Sequence, residues 1–96
     1  MREDEVIRVR VRGLGILKNL IPDPVFSLRK GGTLSELVDQ LMEKYGEPFR
    51  HTILDQETKQ LHSFICILLN GVIVNDLNKE LREDEEVTLF IPVSGG

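Results

Sequence analysis

The 96-residue sequence has one cysteine, Cys66, no tryptophan and only 5% aromatic residues. A lone thiol cannot close an internal disulfide or build a cysteine-rich zinc or iron–sulfur site. The two histidines, His51 and His62, stand without the further ligands at defined spacing that a metal site needs, and structural roles are expected for both. No apolar run approaches the roughly 20 residues of a membrane helix, and no long apolar signal segment opens the sequence, so a cytoplasmic protein is expected. Positive charge is in deficit: a net charge of −4 and a pI near 5.1 argue against nucleic acid or an acidic membrane as the main partner. The one glycine pair inside the chain, Gly31-Gly32, lacks the Lys and Ser/Thr spacing of a phosphate-binding loop.

What is present suits a single folded unit. Hydrophobic residues make up 41% and charged residues 29% of the chain, ordinary proportions for a globular domain long enough to bury one core. "VIRVRVR", Val6 to Arg12, alternates with Ile7, Val9 and Val11 on one face and Arg8, Arg10 and Arg12 on the other, which predicts a half-buried strand. Gly13 to Pro24 reads as a loop whose Leu14, Ile16, Leu17, Leu20 and Ile21 partly tuck inward. "VFSLR" predicts a second strand. In "TLSE", Thr33 and Glu36 form a capping box, with Thr33 capping the first turn of a helix and Glu36 reaching back.

Leu34, Leu37, Val38, Leu41, Met42 and Tyr45 make one apolar stripe on that helix, and Gly46 sits where a left-handed cap would end it. Glu47 to Gln60 reads as a long, partly mobile connection anchored by Phe49, Ile53 and Leu54. "FICILLNGVIV" predicts two strands joined by a tight turn at Asn70-Gly71. The acidic segment Asp76 to Glu86 carries Leu77 and Leu81 spaced like a short helical turn, and its "REDEE" reads as a solvated turn before the last strand, Val87 to Ile91.

The order β, β, α, β, β, β places the first and last strands parallel at the centre of a mixed sheet. The expected fold is therefore α+β, a β-grasp (ubiquitin-like) five-stranded mixed sheet packed on one main helix. Residues 1–91 would form the domain and residues 92–96 an extended tail.

At this point the sequence resembles the MoaD/ThiS family of ubiquitin-like sulfur carriers over nearly its whole length. The resemblance rests on the opening strand, "TLSELVDQL", "LNGVIV", "LREDEEVTLF" and the closing "IPVSGG", which is most similar to the MoaD branch. Ile91-Pro92 stands where many relatives have two prolines, and Glu47 to Gln60 is longer than in compact members. The resemblance implies a carrier and not a catalyst: an ATP-dependent enzyme adenylates the carboxylate of Gly96, sulfur displaces AMP, and the thiocarboxylate delivers sulfur. It also implies no intrinsic cofactor, ATP and Mg²⁺ belonging to the activating partner, together with a sulfur donor and, for the MoaD branch, the large subunit of molybdopterin synthase. A thiamine or tRNA-thiolation carrier, a protein modifier joined to lysines through Gly96, and a binding module with an inert tail remain open.

The residues support a tail of this kind in their own right. Pro92 lacks a donor and ends strand pairing, which frees Val93, Ser94, Gly95 and Gly96 as an arm. Gly95 and Gly96, without a Cβ, can pass a narrow channel. Alternation directs Ile65, Ile67, Leu69, Val72, Val74, Val87, Leu89 and Ile91 towards the helix, and leaves Phe64, Cys66, Leu68, Thr88 and Phe90 outside, joined by Ile73. This is an apolar patch bordered by the Arg8, Arg10 and Arg12 row, as a protein-binding surface would be. Phe90, Leu68 and Ile73 are expected at its centre and Arg10 and Arg12 at its edge. Cys66, inside an apolar strand with no motif around it, is expected to pack and not to react. The single cysteine also excludes redox β-grasp proteins.

Overall fold

The computed structural model describes residues 5–22 and 25–92. Five strands, β1 (Val6–Gly13), β2 (Val25–Arg29), β3 (Cys66–Leu69), β4 (Val72–Ile73) and β5 (Glu86–Phe90), surround one long helix, α1 (Leu34–Ile53). They form a single mixed sheet in the order β2-β1-β5-β3-β4. The central pair β1–β5 is parallel, with Val11 opposite Val87 and Arg12 opposite Thr88. The other pairs are antiparallel. This is the expected β-grasp architecture.

The core follows from the alternation of the strands. Ile7, Val9 and Val11 of β1, Phe26 and Leu28 of β2, Ile67 and Leu69 of β3, and Val87 and Leu89 of β5 are buried against Leu34, Leu37, Val38 and Leu41 of α1. Ile65, Val74 and Ile91 pack on this core only partly. Val72 departs from its expected inward position and is 67% exposed. β4 is a two-residue edge strand, so the sheet ends where the core ends.

The start of α1 is held by two parts of the chain. Thr33 Oγ1 accepts from the Glu36 N–H at 3.3 Å, as expected of a cap. The Glu36 carboxylate does not reach back. It takes the Arg29 guanidinium through two contacts of 2.9 and 2.6 Å, and this hydrogen-bonded ion pair raises the Arg29 pKa above its ordinary value. A bidentate charged partner on β2 outcompetes a single backbone amide. The next free amides of the helix find carbonyls of the acidic loop: Leu34 N–H donates to Lys79 O and Ser35 N–H to Leu77 O. That loop therefore forms turns in place of the expected helical turn. It buries Leu81 and leaves Leu77 exposed, with Asp76 Oδ1 accepting from Asn78 N–H at 2.9 Å.

Gly46 does not end the helix. Its φ of 71° and ψ of −149° put a kink in α1, outside the left-handed helical basin expected of a cap. The chain resumes helical geometry at once. Pro48 stands in the first turn after the kink, where its missing N–H costs nothing. This second segment turns Phe49 and Ile53 fully into the core. Glu47 to Ile53, expected as part of a mobile connection, is thus helical, and the rings of Phe26, Tyr45 and Phe49 pack edge to face across the kink at 6.1 Å spacing.

Candidate functional site

β5 ends at the edge of the core with Ile91 half-buried and Pro92 exposed. Val93, Ser94, Gly95 and Gly96, the arm expected from the sequence, lie outside the described residues.

Strand register assembles the outward face beside that exit. Arg12, Thr88, Leu68 and Ile73 form one line across β1, β5, β3 and β4. Cys66 and Phe90 form the next line towards the tail. Leu68, Phe90 and Cys66 are half-buried and Ile73 is 62% exposed. Thr88 is buried, contrary to its expected exposure, because it occupies the middle strand between Arg12 and Leu68. The structure thus brings Arg12, Leu68, Ile73 and Phe90 together on one face. Arg10 lies one line further from the tail, opposite Glu86.

The arginine row is largely answered from within the chain. Arg8 faces Glu83 at 3.8 Å and Arg12 faces Glu86 at 3.6 Å. Arg10 Nη2 donates to Asp84 O at 3.3 Å. The rim therefore carries paired charges around an apolar centre. At the far edge the Asn70-Gly71 turn has φ of 52° and 88°, as a tight hairpin turn requires. The turn is tied to β5: Asn70 N–H donates to Glu86 O, and Glu86 N–H donates back to Asn70 Oδ1.

At the tail end of the sheet Phe64 is exposed as expected, but sequence reasoning missed the apolar residues that join it. Leu14 and Ile16, expected to tuck inward, are exposed, because the short 3-10 turn Gly15–Leu17 buries only Leu17. Across β5, the His62 and Phe64 rings stack at 4.3 Å. The pairing of i with i+2 is a weak sequence signal, since it depends on the turn between Ile53 and β3.

Among the described residues no group of three or more His, Cys, Asp or Glu could hold a metal ion. No helix among them is long and apolar enough to cross a membrane. A groove of about 370 Å³ between α1 and the 54–61 loop, lined by Val38, Met42, Leu54 and Leu61, is the work of the extended connection.

The sheet order and its single crossing helix define a ubiquitin-like β-grasp protein. The model of the ThiS family matches residues 14–96, and the chain belongs to this family of ubiquitin-like sulfur carriers. No curated protein matches the chain. Among solved structures it is similar to SAMP1 from Haloferax volcanii, at 21% identity and TM-score 0.76 over 93% of this chain and 99% of that one. It is also similar to the complex of subunits 1 and 2 of the molybdopterin-converting factor from Helicobacter pylori, at 26% identity and TM-score 0.62 over 94% and 100%. A third likeness is to the Amycolatopsis orientalis BexX/CysO complex, at 24% identity and TM-score 0.67 over 92% and 99%.

Proposed function

We propose that the chain carries sulfur on the carboxyl group of Gly96 as the small subunit of a molybdopterin synthase. The observation that carries this reading is the family match running through residue 96, on a domain whose last strand delivers Pro92 to the surface beside an apolar face. The Helicobacter pylori complex of two molybdopterin-converting subunits supports the choice of pathway.

The chemistry proceeds in two balanced steps. The Gly96 carboxylate attacks the α-phosphorus of ATP in an adenylating enzyme, pyrophosphate leaves, and an acyl adenylate forms. A sulfide-level nucleophile then attacks the carbonyl carbon and AMP departs with its bonding pair, leaving a thiocarboxylate. ATP and Mg²⁺ are held by the enzyme, and this chain supplies the acyl group and the surface that presents it. The outward face, with Phe90, Leu68 and Ile73 at its centre and Arg10 and Arg12 at its rim, binds the large subunit. Val93 and Ser94 belong to the arm that enters the partner together with Gly95 and Gly96.

Deleting Gly95-Gly96 is expected to leave folding intact and abolish ATP–pyrophosphate exchange by the cognate enzyme. Exchange by the truncated protein would sink this reading. A second reading shares every part but the acceptor: an amide to a lysine of another protein, favoured by the likeness to the small archaeal modifier SAMP1. Conjugates of higher mass that depend on Gly96 in native lysate would select it.

A further inference from the structure

Three exposed side chains, Leu14, Ile16 and Phe64, and the half-buried His62 lie around the end of β5 that leads to the tail. Leu14 N–H donates to Leu89 O at 3.0 Å, which holds the 3-10 turn against the end of β5 and presents Leu14 at 38% and Ile16 at 61% exposure. On the other side, Phe64 precedes Cys66 by two residues and Pro92 follows Phe90 by two. Because Cys66 and Phe90 are direct partners, Phe64 and Pro92 share one end of the β3–β5 ladder. Phe64 is 47% exposed.

Both sides are fixed in place. The Phe64 ring stacks on His62 with 18° between planes. His62 N–H donates to Ile53 O at 2.9 Å, and Ile65 N–H closes the turn onto His62 O at 3.1 Å. Ile53 is itself buried in the core, as is Leu17 of the 3-10 turn. Apolar groups already held in position lose little freedom when a partner covers them.

The length of the arm decides what covers them. Val93 to Gly96 spans at most about 14 Å when fully extended, at roughly 3.3–3.6 Å per residue. An enzyme that encloses the Gly96 carboxylate away from water must bring its rim to the surface around Pro92. We propose that Leu14, Ile16, His62 and Phe64 form an apolar collar that seats this chain on the mouth of the adenylating enzyme's tail channel. The collar continues the outward sheet face at its tail end, where Phe64 follows the Cys66–Phe90 line, and the proposal rests on the adenylation reading above. None of the four residues carries a carboxylate, an ammonium or a guanidinium group, so the matching rim of the enzyme is apolar.

The test is ATP–pyrophosphate exchange with the full chain and its cognate adenylating enzyme, measured as a function of carrier concentration. Phe64→Ala and Ile16→Ala are each expected to raise KM about tenfold, the scale of one lost apolar anchor, with kcat unchanged. Phe64→Tyr keeps the ring and should stay within about twofold of the parent. Val6→Ala is the control: Val6 is 59% exposed but begins β1, which runs parallel to β5, so it lies at the opposite end of the sheet. Melting temperatures of all four variants should match the parent, since the altered side chains lie outside the core. An unchanged KM in Phe64→Ala and Ile16→Ala, or an equal rise in Val6→Ala, would overturn the collar while leaving adenylation standing. Absence of exchange in the parent protein would instead strike the function itself.

Discussion

Asp55 shows how a single side chain shapes the extended connection. Its Oδ1 accepts from the N–H groups of Glu57 at 2.8 Å and Thr58 at 3.2 Å. These bonds hold its carboxyl below the usual carboxylate value, the Glu57 bond contributing most. A folded pKa below the unfolded one means that the stabilisation is fully present above about pH 3.9 and disappears as pH falls through the lower folded value. Side-chain carbonyl NMR should therefore give Asp55 a midpoint below that of an unfolded control, with the Glu57 and Thr58 amide shifts following the same curve. A midpoint at the control value would show that the two bonds do not persist in solution. Elsewhere, residue roles were readable where one side chain meets its immediate neighbours in sequence, as Thr33 does at its cap. They were not readable where a distant partner competes, as when Arg29 captures Glu36.

Among the elements, α1 divides into a part the sequence announces and a part it conceals. Leu34 to Tyr45 carries the helical stripe in full view. Beyond it, Gly46 reads as an ending, because glycine commonly caps a helix. It instead stands at a kink after which the helix restarts through Pro48, and only the burial of Phe49 and Ile53 in the tertiary core reveals it. Likewise the acidic loop became turns because its carbonyls at 77 and 79 are needed at the helix start. The kink has a measurable consequence. A Cβ at Gly46 would meet no heavy atom within 4 Å, so any penalty is conformational. At φ 71° and ψ −149°, Gly46→Ala is expected to lower unfolding free energy by about 1–3 kcal/mol with an unchanged denaturant slope. A smaller loss would mean that the kink straightens at little cost.

At the scale of the whole molecule, the topology was legible because few arrangements suit this order of strands, and parallel pairing of the terminal strands follows from their separation. The outward face was legible from period-two alternation, apart from the burial of Thr88 between its neighbours. Of the proposed collar only the exposure of Phe64 was legible, because the rest depends on two turns converging at one end of the sheet. In the proposed function the sheet face and its arginine rim would make distinct contributions to partner binding. Arg8 and Arg12 already have acidic partners, and Arg10 bonds a carbonyl, so binding must exchange these contacts for new ones. Exposed ion pairs of this kind contribute about 0–1 kcal/mol. Phe90 has no such competition: it is half-buried on the outward face opposite Cys66. Phe90→Ala is therefore expected to weaken large-subunit binding by about 2 kcal/mol, roughly thirtyfold. Arg10→Ala should chiefly change the salt dependence and association rate. The stability lost in Phe90→Ala should stay below the roughly 3–5 kcal/mol of a fully buried phenylalanine. Calorimetric affinity and melting temperature on the same samples separate the two effects. Equal affinity for Phe90→Ala and the parent, with both folded, would remove this face from the partner interface.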